Sequence, residues 1–127
     1  MAIRLYTLDP EGNPVQVEAH DTKAWAIWYE MAAIEGELTI RRTNLPGCTV
    51  STVFLSVVSS YGSSGAPLLW ETMILGGPRD GYQKRYATRK EALRGHRAAV
   101  LHALTGLLCF WKRKPERKED AAKDLLG

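Results

Sequence analysis

From residue 38 to residue 87 the chain repeats one pattern: a short run rich in β-branched and apolar residues, then a knot of Gly, Pro, Asn or Ser. Pro pre-sets φ and Gly tolerates positive φ, so each knot ends one element and reverses the chain. Residues 38–43 read as a strand and Asn44-Leu45-Pro46-Gly47 as a turn. Residues 48–58 read as one long central strand, and residues 59–67 as a flexible Ser-Gly loop. Residues 68–75 are a further strand, residues 76–81 a turn, and residues 82–87 a returning strand. The period of two puts Glu71 on one face with Leu69, Met73 and Leu75, and Thr72 on the other with Leu68, Trp70 and Ile74. This meander of about four strands rules out an all-helical fold.

Its flanks complete the architecture. Residues 3–8 and 15–18 alternate in polarity around a Pro- and Gly-bearing turn, so the opening unit is a hairpin. Asp21 or Thr22 can cap a helix. Trp25, Trp28, Tyr29 and Ala32 then share one face at helical spacing, which reads as core, and Gly36 is a natural stop. Thr88-Arg89-Lys90-Glu91 fits a capping box, in which the Thr hydroxyl takes the third helical amide. A helix follows to about Trp111, with Leu93, His96, Val100, Leu104 and Leu107 as its apolar stripe. Lys112-Arg113-Lys114 suits its C-terminal dipole, and Pro115 ends it. The expected fold is α+β: a mainly antiparallel sheet of five to six strands with two helices on one face, in the order ββα-ββββ-α. It forms a single domain over residues 1–114, followed by a polar tail over residues 115–127.

The 127 residues, 45% hydrophobic with four Trp, suffice for a core without staples. Cys48 and Cys109 each adjoin an apolar run and read as buried, reduced thiols, which fits a cytoplasmic setting. No basic stretch with an apolar core marks the N-terminus as a signal peptide. The apolar stretch 98–111 falls short of the roughly 20 residues that span a bilayer. It is apolar nearly all round towards its end, which points to a homo-oligomer contact. Net charge is +3, but residues 1–37 carry −5, residues 38–111 carry +6, and the remainder carries +2. That asymmetry fits either an anion-binding face or halves that complement each other within the fold or between subunits.

Few residues carry chemistry. Glu71, flanked by apolar residues mid-strand, reads either as an acid–base group or as the partner of a strand arginine such as Arg41 or Arg85. His96, on an apolar stripe, is either a ligand-binding group or a hydrogen-bonded core residue. His20 and His102 lack neighbours at metal spacing, so no metal is assigned, and no cofactor is implied. The loop 59–67 could cradle an anion on its amides but lacks the phosphate-loop Lys. The segment 79–97 is the main candidate, with Arg79, Lys84, Arg85, Arg89, Lys90, Arg94 and Arg97 interleaved with Tyr82 and Tyr86 at a helix N-terminus. The candidate ligand-binding set is Glu71, Thr72, Arg85, Tyr86, Thr88, Arg89 and His96, with no catalytic residue assigned.

The string Val50-Ser51-Thr52-Val53-Phe54-Leu55, then Trp70-Glu71-Thr72-Met73, Arg85-Tyr86-Ala87-Thr88 and Glu91-Ala92 with Gly95-His96 resembles a family of small, mostly uncharacterised bacteriophage and prophage proteins. Members read S-T-V-F-L, an F/W-E-T-M strand, R-Y-x-T, and a helix with A-x-x-G-H. The likeness covers about residues 3–100. Members often carry Gly-Leu-Asp-His after the first motif, where this chain has Ser56-Val57-Val58-Ser59. The resemblance implies a phage-type accessory protein that binds a small anionic ligand such as a nucleotide, or a host protein, in the host cytoplasm, with counter-defence as an analogy. The residues leave two other readings open. One is a small hydrolase or transferase using Glu71 and His96. The other is a nucleic-acid-binding accessory protein using residues 79–97 and the tail.

Overall fold

The computed structural model describes residues 3–126, with side chains through residue 112. Strands β1 (Arg4–Leu8) and β2 (Pro14–Val17) form the opening hairpin, and helix α1 (Thr22–Glu35) follows. Next come β3 (Thr39–Leu45), β4 (Cys48–Phe54), β5 (Val57–Val58), β6 (Trp70–Leu75) and β7 (Gln83–Tyr86), then helix α2 (Arg89–Leu126). The fold is α+β, and every strand pairing is antiparallel.

The strands divide into two sheets rather than one, ordered β2-β1-β5 and β3-β4-β6-β7. The expected long strand over residues 48–58 breaks at Leu55-Ser56. Leu55 N–H still bonds the Leu69 carbonyl at 2.6 Å, but the Ser56 carbonyl accepts from Tyr6 N–H at 2.9 Å. The chain therefore changes partners within two residues and continues as β5 beside β1. Phe54 and Val58 stay in one buried cluster across the break, with Tyr6, Leu69, Trp70, Tyr86 and Ala92.

The tight turns follow their residues. Pro46 and Gly47 turn β3 into β4 with Gly47 at φ 84°, which only Gly adopts without strain. Gly36, at φ 75°, caps α1 by donating to Ala32 and Ala33 carbonyls. Thr88 caps α2, its hydroxyl accepting from Glu91 N–H at 3.1 Å.

Helix α2 crosses the face of the larger sheet formed by Val50, Thr52, Trp70, Thr72 and Ile74. Its buried line is Ala92, His96, Ala99, Ala103 and Leu107. Three small residues let the helix approach closely, so the expected stripe is displaced: Leu93, Val100 and Leu104 are only half-buried. Helix α1 lies against β1, and Trp28 meets Phe54 edge-on on the face that α2 covers. Trp25 and Trp28 face inwards as expected, with the Trp25 indole donating to the Tyr6 carbonyl at 3.1 Å. Cys48 is buried, but Cys109 is exposed, on the far side of α2 from the sheet. Helix α2 also continues past Pro115. Proline removes one amide donor there, while its fixed φ is itself helical. The side chains of the tail lie outside the described residues. No helix among the described residues is long and apolar enough to cross a membrane.

Candidate functional site

His96 is the one large polar side chain on the buried line of α2, 1% exposed. Its Nε2 lies 2.8 Å from Thr43 Oγ1 and its Nδ1 2.7 Å from Thr52 Oγ1. Thr52 Oγ1 in turn lies 2.6 Å from Thr72 Oγ1. Thr43, Thr52 and Thr72 stand on the adjacent strands β3, β4 and β6, so their hydroxyls form a row across the sheet beneath the helix. A neutral imidazole, donating from one nitrogen and accepting at the other, satisfies it. Burial, and then the nearby Arg41 charge, hold the His96 pKa below the ordinary histidine value. The row separates the Phe54–Trp70 cluster from a second one around Val50, Ile74, Ala99, Ala103 and Leu107. Both His96 nitrogens are occupied by threonines, and Thr72 is completely buried.

Glu71 alternates with Thr72 along β6 and so projects from the opposite face. Its Oε2 accepts from Arg85 Nε at 2.7 Å and from Gln83 Nε2. Arg85 Nη1 donates onward to Ser60 Oγ at 2.8 Å. The expected alternative of a strand-arginine partner is realised in Arg85. Glu71 and His96 are separated by the sheet itself, so the shared pocket that an acid–base pair needs is not formed.

The loop after β5 is not loose. Gly62 N–H bonds the Ala66 carbonyl at 2.8 Å, Gly65 N–H the Gly62 carbonyl at 2.9 Å, and Leu68 N–H the Ser60 carbonyl at 3.0 Å. Tyr61 and Pro67 pair as a bridge. The Gly62, Gly65 and Leu68 amides are thus spent within the loop.

Within the segment 79–97, the structure draws together part of the basic set. Lys84, Arg85 and Tyr86 of β7 and Glu91, Arg94, Gly95 and Ala98 of α2 line a cleft of about 320 Å³. Tyr86 is 5% exposed, and its hydroxyl closes no hydrogen bond of ordinary geometry among the described residues. Burial raises the Tyr86 pKa, and the neighbouring Thr72 hydroxyl offsets part of that rise. The short bond of Thr72 is to Thr52, not to Tyr86. Lys84 Nζ lies 5.9 Å from the centre of the Tyr86 ring. Neither Lys84 nor Arg94 has a carboxylate partner among the described residues.

The seven candidate residues are thus dispersed. Thr72 and His96 are core. Glu71 pairs with Arg85 on the opposite face, and Thr88 is a helix cap. Arg89 borders a different cleft, with Asp9, Glu11, Glu37 and Trp70. Tyr86 lines the β7–α2 cleft, and Arg85 borders it while its guanidinium turns to Glu71. Arg79 lies along α2 at Gly106, where a Cβ would meet its Cγ at 2.7 Å. Gly95 was the missed member; a lone Gly inside a helical pattern was its signal. Among the described residues no group of His, Cys, Asp and Glu is placed to hold a metal ion. Compared with known proteins, the chain matches no family model, no curated protein and no solved structure.

Proposed function

We propose that this protein acts by binding a small anionic ligand in the cleft between β7 and the first turns of α2, with no acid–base chemistry of its own. The observation that carries the reading is that Lys84 and Arg94 border one small cleft beside Tyr86, while the Arg85 guanidinium is held by Glu71 on the opposite face. Neither cation has a carboxylate partner among the described residues, so an incoming phosphate or carboxylate displaces no ion pair described there. The Tyr86 ring edge and the Lys84 ammonium add an aromatic and a cationic wall. At about 320 Å³ the cleft is at the small end of ligand sites. That size favours a mononucleotide or another compact phosphate ester over a polymer. The resemblance to phage-encoded proteins supports an accessory role, in which a ligand is sequestered.

The test is a thermal-shift screen against mono-, cyclic and dinucleotides, with single- and double-stranded oligonucleotides alongside. A ligand well above its Kd raises the melting temperature by several degrees. The Lys84→Ala/Arg94→Ala variant is expected to abolish the shift while melting like the parent without ligand. These positions are cleaner probes than Arg85, whose removal also strands Glu71. An unshifted melt across the whole panel overturns the small-ligand reading and favours a host protein as partner.

A further inference from the structure

Two helix faces turned away from the sheets are apolar and uncovered among the described residues. On α1, Ala24, Ile27, Met31 and Ile34 share one side at helical spacing. Ile27 is 59% exposed, Met31 52% and Ile34 74%. On α2, Leu101 and Leu108 are 65% and 58% exposed. Thr105 lies between them, its hydroxyl turned back to the Leu101 carbonyl at 2.8 Å. Ile27 and Ile34 stand seven residues apart, as do Leu101 and Leu108. Each pair therefore spans roughly 10 Å of helix, and the two stripes match in length.

The charges beside the stripes are opposite and oddly placed. Glu30 and Glu35 flank the α1 stripe, and Glu37 follows just past its C-terminus. Lys90, Arg94 and Arg97 precede the α2 stripe on the same exposed side of the helix. Acidic groups at a helix C-terminus and basic ones near an N-terminus both oppose the helix dipole. Glu35 and Glu37 also crowd each other. Their side-chain hydrogen bond, and then their mutual repulsion, raise the Glu37 pKa. Neither cluster forms an ion pair among the described residues.

We propose that a second copy of this chain covers both stripes, with α1 of each protomer lying antiparallel on α2 of its partner. Ile34 then meets the partner's Leu101 and Ile27 the partner's Leu108, while Glu35 and Glu37 face the partner's Arg97. Charge selects this pairing. Stacking α1 on α1 would oppose glutamates, and stacking α2 on α2 would oppose arginines. A two-fold axis repeats the contact, so both stripes are buried at once and no sticky face is left to extend a filament. The charge contact tested below is through Arg97, which does not line the ligand cleft.

The experiment is sedimentation velocity on the full chain at concentrations up to about 100 µM, where a weak dimer is populated by mass action. The parent chain is expected to be dimeric. Arg97→Glu and Glu35→Arg should each weaken the dimer at least about tenfold. The combined Glu35→Arg/Arg97→Glu chain should dimerise again, with circular dichroism confirming that each variant is folded. Ile34→Asp, at an exposed position without core contacts, should also yield a monomer. A parent chain that stays monomeric throughout overturns the proposal. So does a dimer indifferent to both charge reversals, or a double variant that remains monomeric.

Discussion

The phenol of Tyr86 occupies the space where a side chain on Gly95 would begin: a Cβ built there falls 2.1 Å from Tyr86 Oη and 2.2 Å from Cζ. The ring of a buried core residue cannot swing away, because Trp70 and Ala92 pack in the same cluster. The missing Cβ therefore sets how closely α2 approaches β7.

Gly95→Ala tests that spacing. Alanine is the better helix former by about 1 kcal/mol, so propensity alone predicts a more stable protein. The contact predicts the opposite, and overpacking of this kind costs about 1–3 kcal/mol, more where the neighbour is rigid. A net loss of about 2 kcal/mol is expected in urea unfolding. The Gly95→Ala/Tyr86→Leu pair should recover part of it.

His96 predicts a pH dependence. Its folded pKa lies below the unfolded value of about 6.5. Between the two values the unfolded chain binds a proton that the folded chain refuses, so stability rises with pH across that window. Stability is expected to be full above about pH 6.5 and to decline as pH falls, until the folded pKa is reached. Urea unfolding at a series of pH values, at fixed protein concentration, checks this. His96→Gln should flatten that part of the profile while costing about 1–3 kcal/mol at neutral pH, because an amide bonds the two threonines less well.

The Glu71–Arg85 pair predicts an asymmetry. The Glu71 side chain is 10% exposed and that of Arg85 37%. Arg85→Ala strands a nearly buried carboxylate and should cost about 2 kcal/mol. Replacing both with alanine should cost less than the two single changes summed, with a coupling of about 1 kcal/mol in a double-mutant cycle. Coupling indistinguishable from zero would mean that the pair contributes nothing to the fold.

Thr88→Ala removes the hydroxyl that accepts from Glu91 N–H. A loss of about 1 kcal/mol is expected, and Thr88→Asp should retain most of the stability, since aspartate caps equally well. Thermal unfolding of the two variants separates the cap from any role in ligand binding.

Local signals were legible because their physics acts over a few residues. Pro46-Gly47, Gly36 and the Thr88–Glu91 cap sit where the sequence predicts them, since each depends on φ preference or on one nearby amide. The period of two in β6 already placed Glu71 and Thr72 on opposite faces. The sequence by itself therefore determined the α+β class and most of the elements in order, though not the division of residues 48–58 into β4 and β5. Which face α2 would cover was not legible, because that choice depends on the summed burial of β4, β6 and β7 together. Only the tertiary structure put His96 over the three threonines, sheet-width away from Glu71, and so divided the expected site. The break at Leu55-Ser56 was hidden for the same reason: Val57 and Val58 suit a strand in either sheet, and only β1 decided which. Helix α1 is apolar on nearly every side, so its pattern could not say which stripe would remain uncovered. Packing against β1 and Phe54 chose Trp25, Trp28 and Ala32 for the interior and left Ile27, Met31 and Ile34 outside.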